Sequence, residues 1–330
     1  MKTTGYGIRG NRAIQTLTKY FLLLAILLVS LIFGIMNHSF FSVPNIMTIL
    51  KSSSVVALIS LGSMFVMNAG DINFAVGAQM TLASAVLGRM LASETFHNYS
   101  LAALSAILVT MATGLLCAFL VVKIQVPAFI ATIGVQTLLN AFTKFLTNGT
   151  NLFSNQWGKS FTVLGQTNIF SVPLPVIITI IIAVFILILM EKTKYGRMLF
   201  SVGRNRTAAR QVGINVDGYR FFAYLMCSLL AAIAGILQTS ISNSVSISIG
   251  SGYLMSAISS GILGATFLTP GKYNVPGTIL AAMVNVIVRI GVVSIGASNY
   301  STDIIQGAIL LISVALIALV REDGLPAVTL

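Results

Sequence analysis

Charge is the scarcest property of this chain. Asp, Glu, Lys and Arg make up 8% of its 330 residues, against about 25% in an ordinary soluble domain, which excludes a globular surface built to face water. Acids are rarer still, with seven Asp and Glu and two His in the whole sequence. Acid–base and metal chemistry need such groups in clusters. Here His38 and His97 fall in or beside predicted outer connections, and only Glu94 lies near either of them. No catalytic residue and no metal site is expected. Cys117 and Cys227 both sit in apolar segments, without metal-ligand spacing or a disulfide framework, and read as small buried hydrophobes. A phosphate loop is missing too: Gly271-Lys272 has Thr266 where the first glycine belongs and Tyr273 where a Ser or Thr would meet the metal. This chain is not expected to hold ATP.

What fills the space is apolar. Hydrophobic residues reach 56% and the mean hydropathy is +0.96, which identifies an integral membrane protein. A crossing of about 30 Å needs about 20 apolar residues. Windows of that length predict spans at 19–37, 46–68, 73–92, 100–122, 128–147, 172–190, 221–241, 252–268, 275–293 and 303–320. The expected fold is an all-α polytopic bundle of about ten transmembrane helices, some of them broken or short. It divides into a tail at 1–18, one membrane domain at 19–320 and a second tail at 321–330. The apolar run at 20–36 follows basic residues as a signal peptide would, but NHSFFSVPN comes next in place of a small-residue cleavage site. It reads as the first membrane helix.

An even number of spans with the N-terminus inside puts both termini and the loop 191–220 in the cytoplasm. Inside positions then collect Lys2, Arg9, Arg12, Lys19, Lys123, seven residues of 191–220, Lys272 and Arg321, fourteen of the nineteen Lys and Arg. That is the bias expected from retention of positive loops during insertion. Lys51, Arg89, Lys144, Lys159 and Arg289 are the exceptions and lie near outer ends, where snorkelling lowers their cost. The net charge of +12 therefore reflects topology and contact with anionic lipid, and no nucleic-acid partner is expected.

Two polar stretches break the apolar pattern. The segments 69–80 and 242–274 are rich in Gly, Ser and Asn, and non-helical backbone at membrane depth survives only when buried in protein or lining a watery cavity. The first holds Asn68-Ala-Gly-Asp71-Ile-Asn73 and Gln79. Asp71 has two readings, a helix-cap residue at the inner surface or a residue of a solute pathway, with Asn73 as a partner. A separate polar feature is the basic loop 191–220 itself. Asn205 is placed to cap a short helix through Thr207, Ala208, Ala209 and Arg210 that Gly213 ends. Elsewhere small residues recur four apart, Gly114 with Ala118, Ala231 with Gly235, and Ala257 with Gly261 and Ala265, a spacing that lets helices pack closely in lipid.

Read together, these segments resemble the permease subunits of bacterial ATP-binding-cassette importers of the ribose type, in a superfamily that also holds branched-chain amino-acid permeases. The resemblance covers about 44–320. It rests on GDINFAVGA at Gly70–Ala78, PAFIATIG at Pro127–Gly134, Thr193 to Arg197, and Ser201 to Ile214 with its Ala-Ala-x-x-x-Gly core. Two departures stand out: Thr207 occupies the place of a common Glu, and Tyr253 that of an acid.

The resemblance implies alternating access. Residues 201–214 would carry a coupling helix into a separate ATPase subunit, with Arg204, Asn205, Thr207, Ala208, Ala209, Arg210 and Gly213 at the contact. Arg204, Arg206 and Arg210 are candidates to meet acids of that partner. ATP and Mg would belong to the ATPase. A periplasmic or lipid-anchored binding protein would deliver a sugar to a pair of permease chains in the bacterial inner membrane. Amino acids, nucleosides and autoinducer-type sugars are the alternatives. Asn68, Asp71, Asn73, Gln79, Gln136 and Asn140, with Gln238 and Asn285, are candidates to line the pathway or to form hydrogen bonds between helices. Two other classes stay open: an ion-coupled carrier using Asp71 and Asp303, and a membrane scaffold that recruits a partner through its basic loop.

Overall fold

Helix α2 (Val43–Asn68) explains the centre of the molecule. Pro44 sits in its first turn, where a missing N–H costs nothing, and every residue from Ser53 to Asn68 is buried. A helix apolar on all sides belongs in a core, and 83% of its most apolar stretch is covered by protein. The computed structural model describes residues 12–92, 98–153, 157, 159–268, 271–297 and 299–320. Lys2, Arg9, Glu94, His97 and Arg321 lie outside the described residues, as does the side chain of Asp303.

The chain is helical through α1 (Arg12–Met36), α2, α3 (Val76–Leu91), α4 (Tyr99–Ala118) and α5 (Ala128–Leu146). After α6 (Lys159–Gln166) and α7 (Leu174–Leu187) come the two helices of the basic loop, α8 (Lys194–Arg204) and α9 (Arg206–Gln211). Helices α10 (Val216–Ser242), α11 (Ile249–Gly264), α12 (Val275–Ser294) and α13 (Asn299–Val320) complete the bundle. Each of the ten predicted spans falls on a helix. Among the described residues six helices are long and apolar enough to cross a membrane: α2, α5, α10 and α12, together with α4 and α7 as they continue to Lys123 and Lys192. Helices α3 and α11 have 16 residues each, about 24 Å of rise, short of a span of about 30 Å.

The shortfall follows from helix breaks within the two polar stretches, the second of which, 242–274, also holds all of α11. Residues 69–75 separate α2 from α3, and Asn243 at φ +50° ends α10 six residues before α11 begins. The first turns of the two short helices meet, with Gly77 against the backbone of Gly250. There the Gly250 N–H donates to Thr81 Oγ1 at 2.9 Å, so a backbone group freed by the break is satisfied inside the protein.

Helix α10 packs between α2, α3 and α4. The spaced small residues make those contacts possible: Gly114 of α4 faces Ser228 and Tyr224 of α10, and Gly235 of α10 faces Met80 and Ala83 of α3. With little hydrophobic drive between helices in lipid, close packing of this kind supplies the attraction. Helices α5 and α7 are only 28% covered over their apolar windows and stand at the rim. At the end away from α9, strand β1 (Leu152–Phe153) pairs antiparallel with β4 (Ser244–Val245), and β2 (Asn168–Ile169) with β3 (Val172–Pro173). The same end ties α1 to α12 through Asn37 Nδ2, which donates to Ser294 O at 2.9 Å.

Candidate functional site

The basic loop folds into two rigid helices. Both α4 and α7 pass into π turns, at Phe119–Lys123 and Ile188–Lys192, a distortion common at functional sites. Thr193 then starts α8, its Oγ1 accepting from the Tyr195 N–H at 3.1 Å. Leu199 and Val202 are buried while Arg197, Ser201 and Arg204 face out, the one-sided pattern of a surface helix. Tyr195 locks α8 onto α10, its ring centroid 5.2 Å from Tyr219 and 4.7 Å from Phe222. Burial, with Tyr219 nearby, pushes its phenol far above the usual value.

Helix α9 has the caps read from the sequence. Asn205, extended at φ −158°, separates it from α8, and its Oδ1 accepts from the Ala208 N–H at 2.9 Å. At the other end Gly213 takes φ +81°, the Ile214 N–H reaches Ala209 O and the Gly213 N–H reaches Arg210 O, each at 3.0 Å. That is a Schellman ending. The two alanines differ in role. Ala209 is buried with Val202 and Val216, whereas Thr207, Ala208 and Arg210 are exposed. The outward face of α9 is therefore Thr207, Ala208, Arg210 and Gln211.

Beneath α9 lies a charged cluster whose partners the sequence did not indicate. Asp71, 7% exposed, pairs with Arg206 (Nη2 to Oδ1, 2.8 Å) and with Arg220 (Nε and Nη2 to Oδ2, 3.0 and 2.9 Å). Arg206 Nη2 also donates to Gly70 O at 2.9 Å and Ala69 O at 3.3 Å. Gly70 adopts φ +78° here, a conformation that glycine enters without strain. Gly203 of α8 lies against Asn68 O so closely that a Cβ would collide with it. Backbone contact and ion pair together seat the α8–α9 unit on the first helix break.

This geometry corrects two expectations, for Arg206 and for Asn73. Arg206 is not free for an outside acid, because it holds Asp71. Arg210 is also paired, with Asp217 at 2.7 Å in an exposed bridge, while Arg204 lies over the Phe200 ring at 5.7 Å, with Lys272 over the same ring at 5.3 Å. Nor is Asn73 the partner of Asp71: its Oδ1 accepts from the Ala75 N–H at 3.0 Å, and its Nδ2 donates to Gln79 Oε1 at 3.1 Å and approaches Cys227 Sγ at 3.4 Å.

The remaining polar residues fall into groups. Gln79 Nε2 continues the chain to Thr113 Oγ1 at 3.3 Å. Asn68 Nδ2 donates to Met64 O at 3.1 Å and to Tyr273 O at 3.4 Å, while its buried Oδ1 has no hydrogen-bond partner among the described residues. Gln136 and Asn140 are half-buried on α5, beyond Thr132, whose Oγ1 accepts from the Phe74 N–H at 3.2 Å. Asn285 joins α12 to α11, donating to Ser260 Oγ at 2.9 Å, which is an interhelical bond. Gln238 accepts from Tyr253 Oη at 2.8 Å, and Arg289 lies over the Tyr253 ring at 5.4 Å. Among the described residues no three His, Cys, Asp or Glu gather as a metal site.

Known proteins supply the next comparison. The family model described as the permease component of the branched-chain amino acid transport system matches residues 45–314. The chain is 31% identical over 294 residues to the ribose import permease protein RbsC of Escherichia coli (strain K12), covering 88% of this chain and 91% of that protein. It is 28% identical to RbsC of Bacillus subtilis (strain 168), with 89% and 90% covered. It is 30% identical to the autoinducer 2 import system permease protein LsrC of Yersinia enterocolitica, with 88% and 79% covered. No solved structure matches. A match over residues 45–314, on a bundle with six helices long and apolar enough to cross a membrane, means that this chain belongs to that family of transport-system permeases.

Proposed function

We propose that the chain is the transmembrane permease subunit of an ATP-binding-cassette importer, moving a sugar delivered by an extracytoplasmic binding protein. A separate ATPase subunit holds ATP and Mg and drives the cycle through α9. The observation that carries this is the outward face Thr207-Ala208-Arg210-Gln211 on a helix capped at both ends and seated on a helix break. A capped helix bound to the bundle moves as a body, which a loose loop does not. The names of the relatives, ribose import permease and autoinducer 2 import permease, favour a sugar or sugar-like solute.

The basic end supports a cytoplasmic position for α9. Lys123, Lys192, Lys194, Arg197, Arg204, Arg206, Arg210, Arg220 and Lys272 belong to the turns and helix ends around it, as the retention of positive loops requires. Both tails would then be cytoplasmic. Gln136 and Asn140 are the better candidates for the pathway between two permease copies, since Gly134 and Thr137 beside them on α5 are exposed at membrane depth, where lipid is a poor neighbour for polar groups, whereas Gln79 is buried in bonds to Asn73 and Thr113. Asp71 serves α9. Its two arginine partners also speak against an ion-coupled carrier, in which that carboxylate would have to bind and release a cation.

The test is assembly and transport in one reconstituted system. The chain should co-purify with its ATPase, and Ala208→Trp on the exposed face should abolish that association and ATP-driven uptake of labelled D-ribose or autoinducer 2. Uptake that persists without any ATPase, driven by an ion gradient, would overturn the reading.

A further inference from the structure

Resting on the reading of α9 as the coupling helix, we propose that Arg206 is the positioning residue that passes its displacement through the break to α3, with Arg220 keeping the Asp71 charge paired as the break moves. The route is continuous. Arg206 is the first residue of α9, and one of its nitrogens binds Ala69 O, Gly70 O and the Asp71 carboxylate, all within the break that precedes α3. Two residues on, Asn73 braces the break through the N–H of the capping residue Ala75 and ties it to α3 through the Gln79 side chain. The first turn of α3 in turn bears on α11 through Gly77, Gly250 and Thr81. A shift of α9 thus meets the start of a short helix through charged and polar bonds, with little compressible side-chain packing between.

The two arms on Asp71 differ in burial. The Arg206 side chain is 40% exposed and that of Arg220 is 8% exposed. A buried carboxylate needs a cation at all times, and Arg220, on the membrane helix α10, provides it wherever α9 stands. Arg206 can pull on the break, and its own bond to Asp71 can stretch, without leaving that carboxylate uncompensated. A single arginine would have to do both, and each excursion of α9 would strand a buried charge.

Spin-label distances in the full complex with its ATPase test this. Labels at Val212→Cys (at the exposed end of α9, outside the face set against the ATPase) and, separately, at Phe74→Cys (in the break) are each paired with Val293→Cys at the far end of α12; the native Cys117 and Cys227 are buried. Both distances are compared between nucleotide-free complex and complex trapped with ATP and vanadate. In the parent and in Arg206→Lys both distances should shift. In Arg206→Ala the α9 shift should persist and the Phe74 shift should fall by at least half. Arg206→Gln, with the same readout, serves if the alanine variant fails to reach the membrane. A full Phe74 shift without the arginine overturns the link and leaves α9 as the coupling helix. An α9 that does not shift in the parent overturns the coupling reading and the link with it.

Discussion

Between Asn68 and Val76 the chain is held by one buried carboxylate and two arginines, whereas between Ser242 and Ile249 it is held by strand pairing and neutral side chains. In the second break Ser244 and Val245 pair with β1, and the Ile247 N–H donates to Asn151 Oδ1 at 3.1 Å. Both breaks feed a helix of 16 residues, and the two helices meet at Gly77 and Gly250. One break thus belongs to the α9 end and is fastened by charge. The other belongs to the far end and is fastened by bonds that water can replace. Charge gives the first break a strong, specific grip on a distant segment, and the second is held without such a pair.

The largest effect should come from breaking that asymmetry at its source. Asp71→Ala leaves Arg220 buried without a counter-charge, and removing one partner of a buried ion pair costs about 3–5 kcal/mol. The expected result is a sharp drop in apparent Tm in detergent or failure to accumulate in the membrane. Arg220→Ala should be more damaging than Arg206→Ala, because Arg220 is the deeper partner. Equal effects would mean that the two arms are equivalent.

The meeting point of the breaks comes next. Gly250→Val would drive a side chain into the backbone of Gly77, and overpacking of this kind costs about 1–3 kcal/mol. Backbone cannot step aside as a rotamer does, so the loss should fall at the upper end of that range. The same substitution at the exposed Gly252, where a Cβ meets nothing within 4 Å, is the control and should leave Tm nearly unchanged.

How far this comparison was legible in the sequence depends on the kind of signal. Hydropathy located helices at all ten predicted segments, and Gly, Ser and Asn content, like hydropathy a local property of the chain, marked the regions that hold both breaks without fixing where they fall, since all of α11 lies inside the second. The caps of α9 were equally local: Asn205 and Gly213 each act within a few residues. Helix α8 was missed as an element because its apolar side, Leu199 and Val202, is short and set in a run of basic residues. The partners of Asp71 were not legible at all. Arg206 and Arg220 lie 135 and 149 positions away, and nothing in a single sequence says which of the basic residues at that end a lone acid will meet. Hydropathy also counts residues that leave water, not helix length, so it could not tell the short α3 and α11 from full spans.

A smaller effect tests the neutral side. Tyr253, near the start of α11, donates its hydroxyl to Gln238 and carries Arg289 over its ring. Tyr253→Phe keeps the ring and loses the hydrogen bond, worth about 0.5–1.5 kcal/mol. A drop in Tm of that size, with Arg289 unmoved, would show that the neutral side of the molecule is held by many weak bonds. A loss as large as that of Asp71→Ala would erase the contrast between the two breaks.

The smallest effect is expected at Asn151→Ala. Its Oδ1 accepts the Ile247 N–H at an exposed position, so water takes its place once the side chain is gone and the amide is not left unpaired. The net value of such a bond is at the low end of about 0.5–1.5 kcal/mol. Thermal stability should hardly change, while amide exchange at Ile247 should speed up, since its protection depends on that one acceptor. The same measurement at Asp71, whose N–H is bonded to Val66 O at 3.1 Å beneath two arginines, should be slow in the parent and stay slow in the Asn151 variant. Fast exchange at both breaks in the parent would mean that charge does not hold the first one more firmly than neutral bonds hold the second.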